Sequence, residues 1–468
     1  MNKKAKEGRR LDSRRADSLK TVASSLISIL IGIIFGGVLL FIVSLFNSDT
    51  MSPTTAWEGF RIVLAGIFNT GRDLDAGGVL TFGFNSRLFG DMLFRATPLI
   101  MTGLSVALAY KTGLFNIGAP GQYLMGTMSA IVVALSLDTS KIPAGLVWIL
   151  AFLTAAVAGA LWGCIPGFFK AFLNVNEVIT SIMTNWIAAN LVTIIFDNSK
   201  FRNMTDYGKV GYTLKLNSNG VASPKMGLDK LLGGSNANVG IVIAIVIAIL
   251  IYIMISKTTF GYELKACGSN KFAAKYAGMN EKRNIVLSMA IAGALSGIGA
   301  ALYYLQGDIE FFWNTSMTLP NEGFNGIPVA LLAICNPIGT VFAGLFMAYL
   351  TISGNQLSAF TPYNEYMASI IVAVIVYLSA FSLFFKGLLD KKKKRADKSS
   401  ANDDKEVQIR LFVPESLDKF KDYVHLLDKD SESNIELTND NVVITEKLAK
   451  LLNLSVGDTI TVGDDAGT

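Results

Sequence analysis

Runs of about twenty apolar residues, long enough to cross a bilayer as a helix, recur along most of the first 385 positions of this 468-residue chain. One such run would be an anchor. A series of them implies a bundle, because lipid offers backbone amides and carbonyls no partner and only structures that satisfy them internally can span it. Composition agrees: 51% of residues are hydrophobic and 16% charged, against about a quarter charged in soluble domains. The net charge of +5 divides unevenly, since residues 400–468 hold 7 Lys and Arg against 15 Asp and Glu, leaving 34 against 21 elsewhere. Cys164, Cys267 and Cys335 are scattered, which suggests packing residues rather than a disulfide framework or a metal site.

Residues 1–20 carry eight Lys and Arg ahead of the apolar run Thr21–Phe46, which is too long for a cleaved secretory core. The basic cluster places the N-terminus in the cytoplasm. Residues 47–87 then lie outside, with Trp57–Phe68 resting at the interface. Further spans are expected at 88–110, from Tyr123 to Ser136, and over Ala144–Ile165, Val178–Phe196, Val239–Ile255 and Asn284–Leu305. The long apolar stretch Gly323–Ile352 is ambiguous, and charge settles it. The last span, Tyr366–Phe385, ends in Lys391–Lys398, a second inside marker, so the number of crossings is even. Gly323–Ile352 therefore reads as a descending helix, a turn at Asn336 and Pro337, and an ascending helix. The expectation is an all-α polytopic membrane protein of about ten transmembrane helices, some broken, with both termini cytoplasmic. The transmembrane domain covers 21–390 and a basic, polar linker 391–405. Residues 406–468 alternate strand-like and helix-like segments and read as a small α+β soluble tail.

The stretch GLFNIGAPGQ, Gly113–Gln122, interrupts the apolar pattern at membrane depth. Three glycines and a proline cannot continue a helix without cost, and irregular backbone is tolerated there only inside protein or along a watery cavity. Its amides, Asn116 and Gln122 are expected to face the path of a polar solute; the alternative is a tight connection between two ordinary spans. Asn185, Trp186, Phe324 and Asn325 complete a set of uncharged hydrogen-bonders and aromatics suited to a neutral ring compound. Arg95 sits near the outer end of its span, where a long basic side chain reaches the headgroups or else meets a solute.

No GxxxxGK[ST] phosphate loop, HExxH helix or GxSxG elbow occurs, and the single histidine is His425. Acidic residues are nearly absent from the expected spans, which weighs against proton or sodium relays built on buried carboxylates. A transporter without its own engine needs a rigid inner feature for a partner to push. Gly261–Asn280, GYELKACGSNKFAAKYAGMN, is polar, basic and helix-permissive between two spans; the alternative reading is an ordinary solvated loop.

These stretches resemble permease subunits of ABC importers in the nucleoside, branched-chain amino acid and ribose family, closest to the nucleoside (guanosine-type) branch. The resemblance rests on GLFNIGA-x-GQ, with Pro120 where that pattern has Glu, on NEGFNGIPVALLAICNPIG, Asn321–Gly339, and on the inner segment. It covers residues 88 to about 385. It implies that Gly261, Glu263, Ala266, Gly268, Asn270, Ala273, Ala274 and Gly278 couple the chain to its ATPase, and that Lys170, Asn176 and Glu177, in a K-A-x-x-x-x-N-E-V-I pattern, form a second cytoplasmic contact. It further implies a cell-membrane transport subunit, not an enzyme, translocating nucleosides by alternating access. ABC ATPase subunits would hold the ATP, and this chain would carry no cofactor of its own. A second permease chain, identical or different, and an extracytoplasmic solute-binding lipoprotein complete the implied partners, with no nucleic acid among them. The alternatives are the same architecture carrying sugars or branched-chain amino acids, and an ion-coupled carrier acting alone. The tail's VVITEKLAKLLNLSVGDTI resembles part of the extracytoplasmic domain of the FtsX and macrolide-exporter permeases, which leaves it as either a regulatory module or a fragment joined from another reading frame.

Overall fold

The computed structural model describes residues 29–47, 51–73, 79–197, 199–204, 207–313, 319–364 and 366–379, with the single positions 27 and 449. The expectations for the basic N-terminus 1–20, the linker 391–405, the tail 406–468 and the end of the last span at 380–385 lie outside the described residues.

The chain enters through α1, Ile29–Phe46. Helix α2, Pro53–Ala65, follows, started by Pro53 in its first turn and by a reciprocal cap between Ser52 and Thr55. Strands β1, Asn69–Asp73, and β2, Val79–Phe82, then pair antiparallel with Arg72 opposite Leu80, a hairpin that the all-α expectation did not include. The remaining helices are α3, Ser86–Lys111; α4, Ala119–Ser136; α5, Ala144–Leu173; α6, Glu177–Asp197; α7, Leu228–Leu231; α8, Gly240–Lys257; α9, Thr259–Ser269; α10, Lys271–Tyr276; α11, Glu281–Tyr304; α12, Asn321–Leu332; α13, Pro337–Phe360; and α14, Tyr366–Ser379.

Among the described residues seven helices are long and apolar enough to cross a membrane: α1, α3, α5, α6, α8, α11 and α13. Helix α4, the 12-residue α12 and the 14 described residues of α14 are apolar but fall outside that set. Three boundaries differ from the sequence reading, the first being α13, which runs past Ile352 to Phe360. Helix α5 runs on through Pro166 to Leu173, where Asn174 ends it in a left-handed conformation; Pro166 costs one backbone hydrogen bond, but Gly163 and Gly167 on either side seat that turn against Met289 of α11. The glycine break is also shorter than Gly113–Gln122, because Pro120 falls in the first turn of α4, where its missing amide costs nothing.

Helix α3 is the centre of the bundle: 89% of its most apolar window is buried, against 22% for α5. It packs on α8, α11, α12 and α13, and Pro98 lies within it. The tightest seam is α5 on α11. A Cβ added at Gly159 would stand 2.3 Å from the Gly293 carbonyl oxygen, and one at Gly297 would stand 2.2 Å from that of Ala155. Lipid supplies no hydrophobic drive between helices, so such backbone-to-backbone approach carries the association.

Contacts sort the connections onto two ends. At one, Gly268 of α9 lies on Gly113 at the end of α3, and the Lys282 ammonium at the start of α11 lies 5.0 Å from the Phe172 ring of α5. The α12–α13 turn belongs there too, since Lys111 acts electrostatically on Cys335; burial pushes that thiol up to about 11. Ile334 and Cys335 both turn with φ of 52°. At the other end Thr139 donates to the Asn219 carbonyl at 2.8 Å, the Ser223 amide to Leu305 at 2.6 Å, and Gln306 to Asn236 at 3.1 Å.

Candidate solute path and coupling site

The break between α3 and α4 is held by side-chain amides. Gly113 has φ of +73°, a conformation that favours glycine. Asn116 donates through Nδ2 to Ser105 Oγ at 2.9 Å and to Gln122 Oε1 at 2.8 Å, and its Oδ1 accepts from Gln122 Nε2 at 3.0 Å and from the Gly118 amide at 3.2 Å. Ser296 of α11 donates to Ser105 at 3.1 Å. Asn185 of α6 accepts from the Gly121 amide at 2.9 Å and donates to the Ile117 carbonyl at 3.0 Å. All three amide side chains are buried. They are brought together, but turned on one another and on the backbone, so in this conformation they organise the break and do not present themselves to an open path. Trp186, next in sequence, is 49% exposed on the opposite face of α6. Phe324 and Asn325 lie on the first turns of α12, away from the amide cluster in sequence and joined to it through Gly323, whose added Cβ would stand 2.4 Å from Pro120 Cα. The starts of α4 and α12 therefore abut, and neither has a side-chain cap.

One residue at that junction escaped the sequence reading, which left it in an outer loop. Glu322 opens α12, with its carbonyl accepting from Thr102 Oγ1 of α3 at 3.0 Å. Its carboxylate lies within electrostatic reach of Arg95 and of the phenols of Tyr123, Tyr303 and Tyr304. The rings form a layered wall. Phe94 stacks on Tyr303 at 5.2 Å and 16°, Tyr303 meets Tyr304 at 5.1 Å edge-on, and Tyr123 approaches Tyr304 at 6.5 Å. The legible signal was an acid two residues after Pro320 and ahead of an apolar run, the place where a helix N-terminus favours negative charge.

The second constellation is the arm α9–α10. The expected coupling residues mark its joints. Gly261 is buried where α9 leaves α8, and a Cβ there would stand 2.1 Å from the Met254 carbonyl oxygen. Asn270 caps α10 by accepting from the Phe272 and Ala273 amides, both at 3.0 Å. Gly278 ends that helix with φ of +81°, and Asn280 caps α11 through the Arg283 amide at 3.1 Å. Ala266 accepts at its carbonyl from the Asn270 amide at 3.0 Å. Glu263 and Cys267 share the buried Asn284 of α11, whose Nδ2 lies 3.2 Å from Glu263 Oε2 and 3.5 Å from Cys267 Sγ. Ala273 is exposed and Ala274 buried, so the two alanines serve different faces. Tyr262, Phe272 and Tyr276 stand out from the arm, Tyr276 with 94% of its surface exposed.

The arm touches the break directly. A Cβ on Gly268 would stand 2.4 Å from the Thr112 carbonyl carbon and 2.6 Å from the Gly113 nitrogen, and Thr112 is itself held by hydrogen bonds to the Ala109 carbonyl and to Ser288 of α11. Displacement of α9 must therefore displace the head of the break. Nearby, Lys170 and Glu177 pair at 2.9 Å across the α5–α6 turn, and Asn176 Oδ1 accepts from the Val178 amide at 2.9 Å. These three lie together at one turn.

A multi-pass bundle whose central helix α3 leads into an irregular, amide-braced connection beside an exposed, side-mounted arm has the build of a membrane transport subunit. Residues 88–380 match the family described as the permease component of branched-chain amino acid transport systems, and the chain belongs to that family. It is 35% identical over 306 residues to the guanosine ABC transporter permease protein NupP of Bacillus subtilis, covering 65% of this chain and 84% of the relative. It is 35% identical over 309 residues to the nucleoside ABC transporter permease protein NupB of Lactococcus lactis, covering 66% and 83%. The glucose ABC transporter permease protein TsgB13 of Haloferax volcanii is 31% identical over 321 residues, covering 67% and 82%.

Proposed function

We propose that this chain is the permease subunit of an ATP-driven importer that carries nucleosides across the cell membrane. The observation that carries the reading is the seat of α9 on the break: an exposed arm is joined by backbone contact at Gly268 and Gly113 to the interruption around which the central helix turns. Hydrolysis occurs on separate ATPase subunits, which push on Tyr262, Phe272, Ala273 and Tyr276, with the Lys170–Glu177 turn as a second contact. Asn116, Gln122 and Asn185 re-form their hydrogen bonds as the break changes shape, and Phe324 and Asn325 line the path beside it. The relatives named for guanosine and nucleosides support the cargo.

In this reading α4, α12 and α14 join the seven long helices to give ten crossings or part-crossings, with both termini and the arm in the cytoplasm. A second permease chain and an extracytoplasmic solute-binding lipoprotein complete the importer. The test is uptake of labelled guanosine into vesicles holding the chain with its ATPase subunits, its partner permease and its binding protein. Uptake that requires ATP on the arm side, and that is not competed by glucose or leucine, is the expected result. Uptake driven by a sodium or proton gradient without the ATPase subunits overturns it.

A further inference from the structure

Glu322 is a half-buried ionisable group at the start of a helix inside a membrane bundle, a placement that is costly and marks a functional position by default. The bland account is a structural ion pair with Arg95, but the two do not meet within salt-bridge distance, and Arg95 is exposed. The carboxylate is thus left with acceptor capacity. A second observation points to the same spot. Tyr123 is fully buried, it feels the Glu322 charge, and its hydroxyl has no hydrogen-bond partner. A buried hydroxyl without a partner costs about 1–3 kcal/mol, which a fold has reason to keep only if something else completes it. Ser181 Oγ is likewise buried and unpartnered, and lies beside Gly118 at the start of α4. Two orphaned hydroxyls, a carboxylate with acceptor capacity to spare and a stack of aromatic rings lie around the place where Gly323 touches Pro120.

We propose that Glu322, Tyr123, Tyr303 and Tyr304 form the selective point of the solute path, where the Glu322 carboxylate accepts from two adjacent donors of a purine nucleoside while the tyrosines hold its ring. The proposal rests on the nucleoside reading above and names how that solute is recognised. A carboxylate has two acceptor oxygens side by side and no donor, so it matches paired N–H or O–H groups. A purine nucleoside offers such a pair in two places: the N1–H and N2 amino edge of guanine, and the 2′,3′-diol of ribose. Adenine has no equivalent donor pair. Aromatic rings favour a base by stacking or edge contact, and here Phe94, Tyr303 and Tyr304 pack on one another, so a base must be taken on an outer ring face once the site opens. The site is shut in this conformation, as Tyr123 shows, and opens when the break moves.

The experiment is uptake of guanosine, adenosine and 2′-deoxyguanosine by the complete importer carrying Glu322→Gln or Tyr123→Phe. Selection by the external binding protein is common to wild type and variants, so changes in the ratios between solutes belong to this chain. Replacing one acceptor oxygen by an amide removes a charge-assisted bond and opposes two donors, so uptake of matched solutes should fall about 30-fold or more. If the base edge is read, guanosine and 2′-deoxyguanosine fall and adenosine is spared. If the diol is read, guanosine and adenosine fall and 2′-deoxyguanosine is spared. An equal change in all three, or no change in any, overturns the site while leaving the nucleoside reading intact; a wild-type importer that takes up none of them removes both. Tyr123→Phe guards against misfolding. Deleting an unsatisfied buried hydroxyl should leave the thermal midpoint unchanged or raised, so reduced nucleoside uptake by this variant supports the site, and wild-type uptake counts against it.

Discussion

Asn116 shows how one side chain sets the geometry of a broken helix. It serves Ser105, Gln122 and the Gly118 amide at once, joining α3, the break and the first turn of α4. Asn116→Ala leaves Gln122 and the Gly118 amide buried without that partner, while Ser105 keeps Ser296, and the expected loss is about 2–3 kcal/mol, read as a lowered thermal midpoint in detergent. An unchanged midpoint would mean that the cluster does not hold the break. Gly268 is the complementary case, in which absence of a side chain is what matters. A methyl there meets backbone atoms of Thr112 and Gly113 that no rotamer change can clear. Gly268→Ala should therefore lift the arm from the break, with strain of about 1–3 kcal/mol and uptake reduced about tenfold or more. Because Tyr262, Phe272 and Tyr276 are untouched, the ATPase subunits should still co-purify; their loss would place the defect in docking instead of transmission.

Helix pairs extend the same reasoning, since α5 and α11 meet through glycine faces. Gly159→Ala puts a methyl 2.3 Å from the Gly293 carbonyl oxygen, whereas Gly145→Ala, on the same helix, meets nothing within 4 Å. The first should cost about 1–3 kcal/mol and the second should not lower the midpoint; equal effects would show that the seam tolerates separation. Gly293 and Gly297, four residues apart in the sequence, mark this face, as the glycines and asparagines mark the ends of α9 and α10, because each end of those helices needs a specific cap. Other features were less visible. Pro166 looked like an end and lies inside α5, since packing against α11 outweighs one lost hydrogen bond. Asn116 and Gln122 looked free for a solute, and only their mutual distance shows that they satisfy each other. Glu322 looked like a loop acid among Pro320, Asn321 and Gly323. Its position depends on α12 starting beneath Pro120, a contact between residues two hundred positions apart that no local pattern encodes.

At the level of the whole molecule, the sorting of connections onto two ends turns orientation into a single binary question. The arm, the α5–α6 turn and the α12–α13 turn share one end, while the segments around Asn219, Ser223 and Gln306 share the other. If partner ATPases act on the arm, that end faces the cytoplasm. Two highly exposed positions report on the ends: Tyr276 on the arm at 94% and Met226 in the opposite connection at 78%. In a chain whose three native cysteines are replaced by alanine, Tyr276→Cys should react with a membrane-impermeant maleimide only after the cells are opened. Met226→Cys should react in intact cells. Both exposures were read from the same bundle, so the reverse pattern would invert every helix together, placing the arm outside where no ATP-hydrolysing partner could push it. Labelling of both sites in intact cells would instead mean that α8, the one long apolar helix between them, does not cross, and would break the even number of crossings.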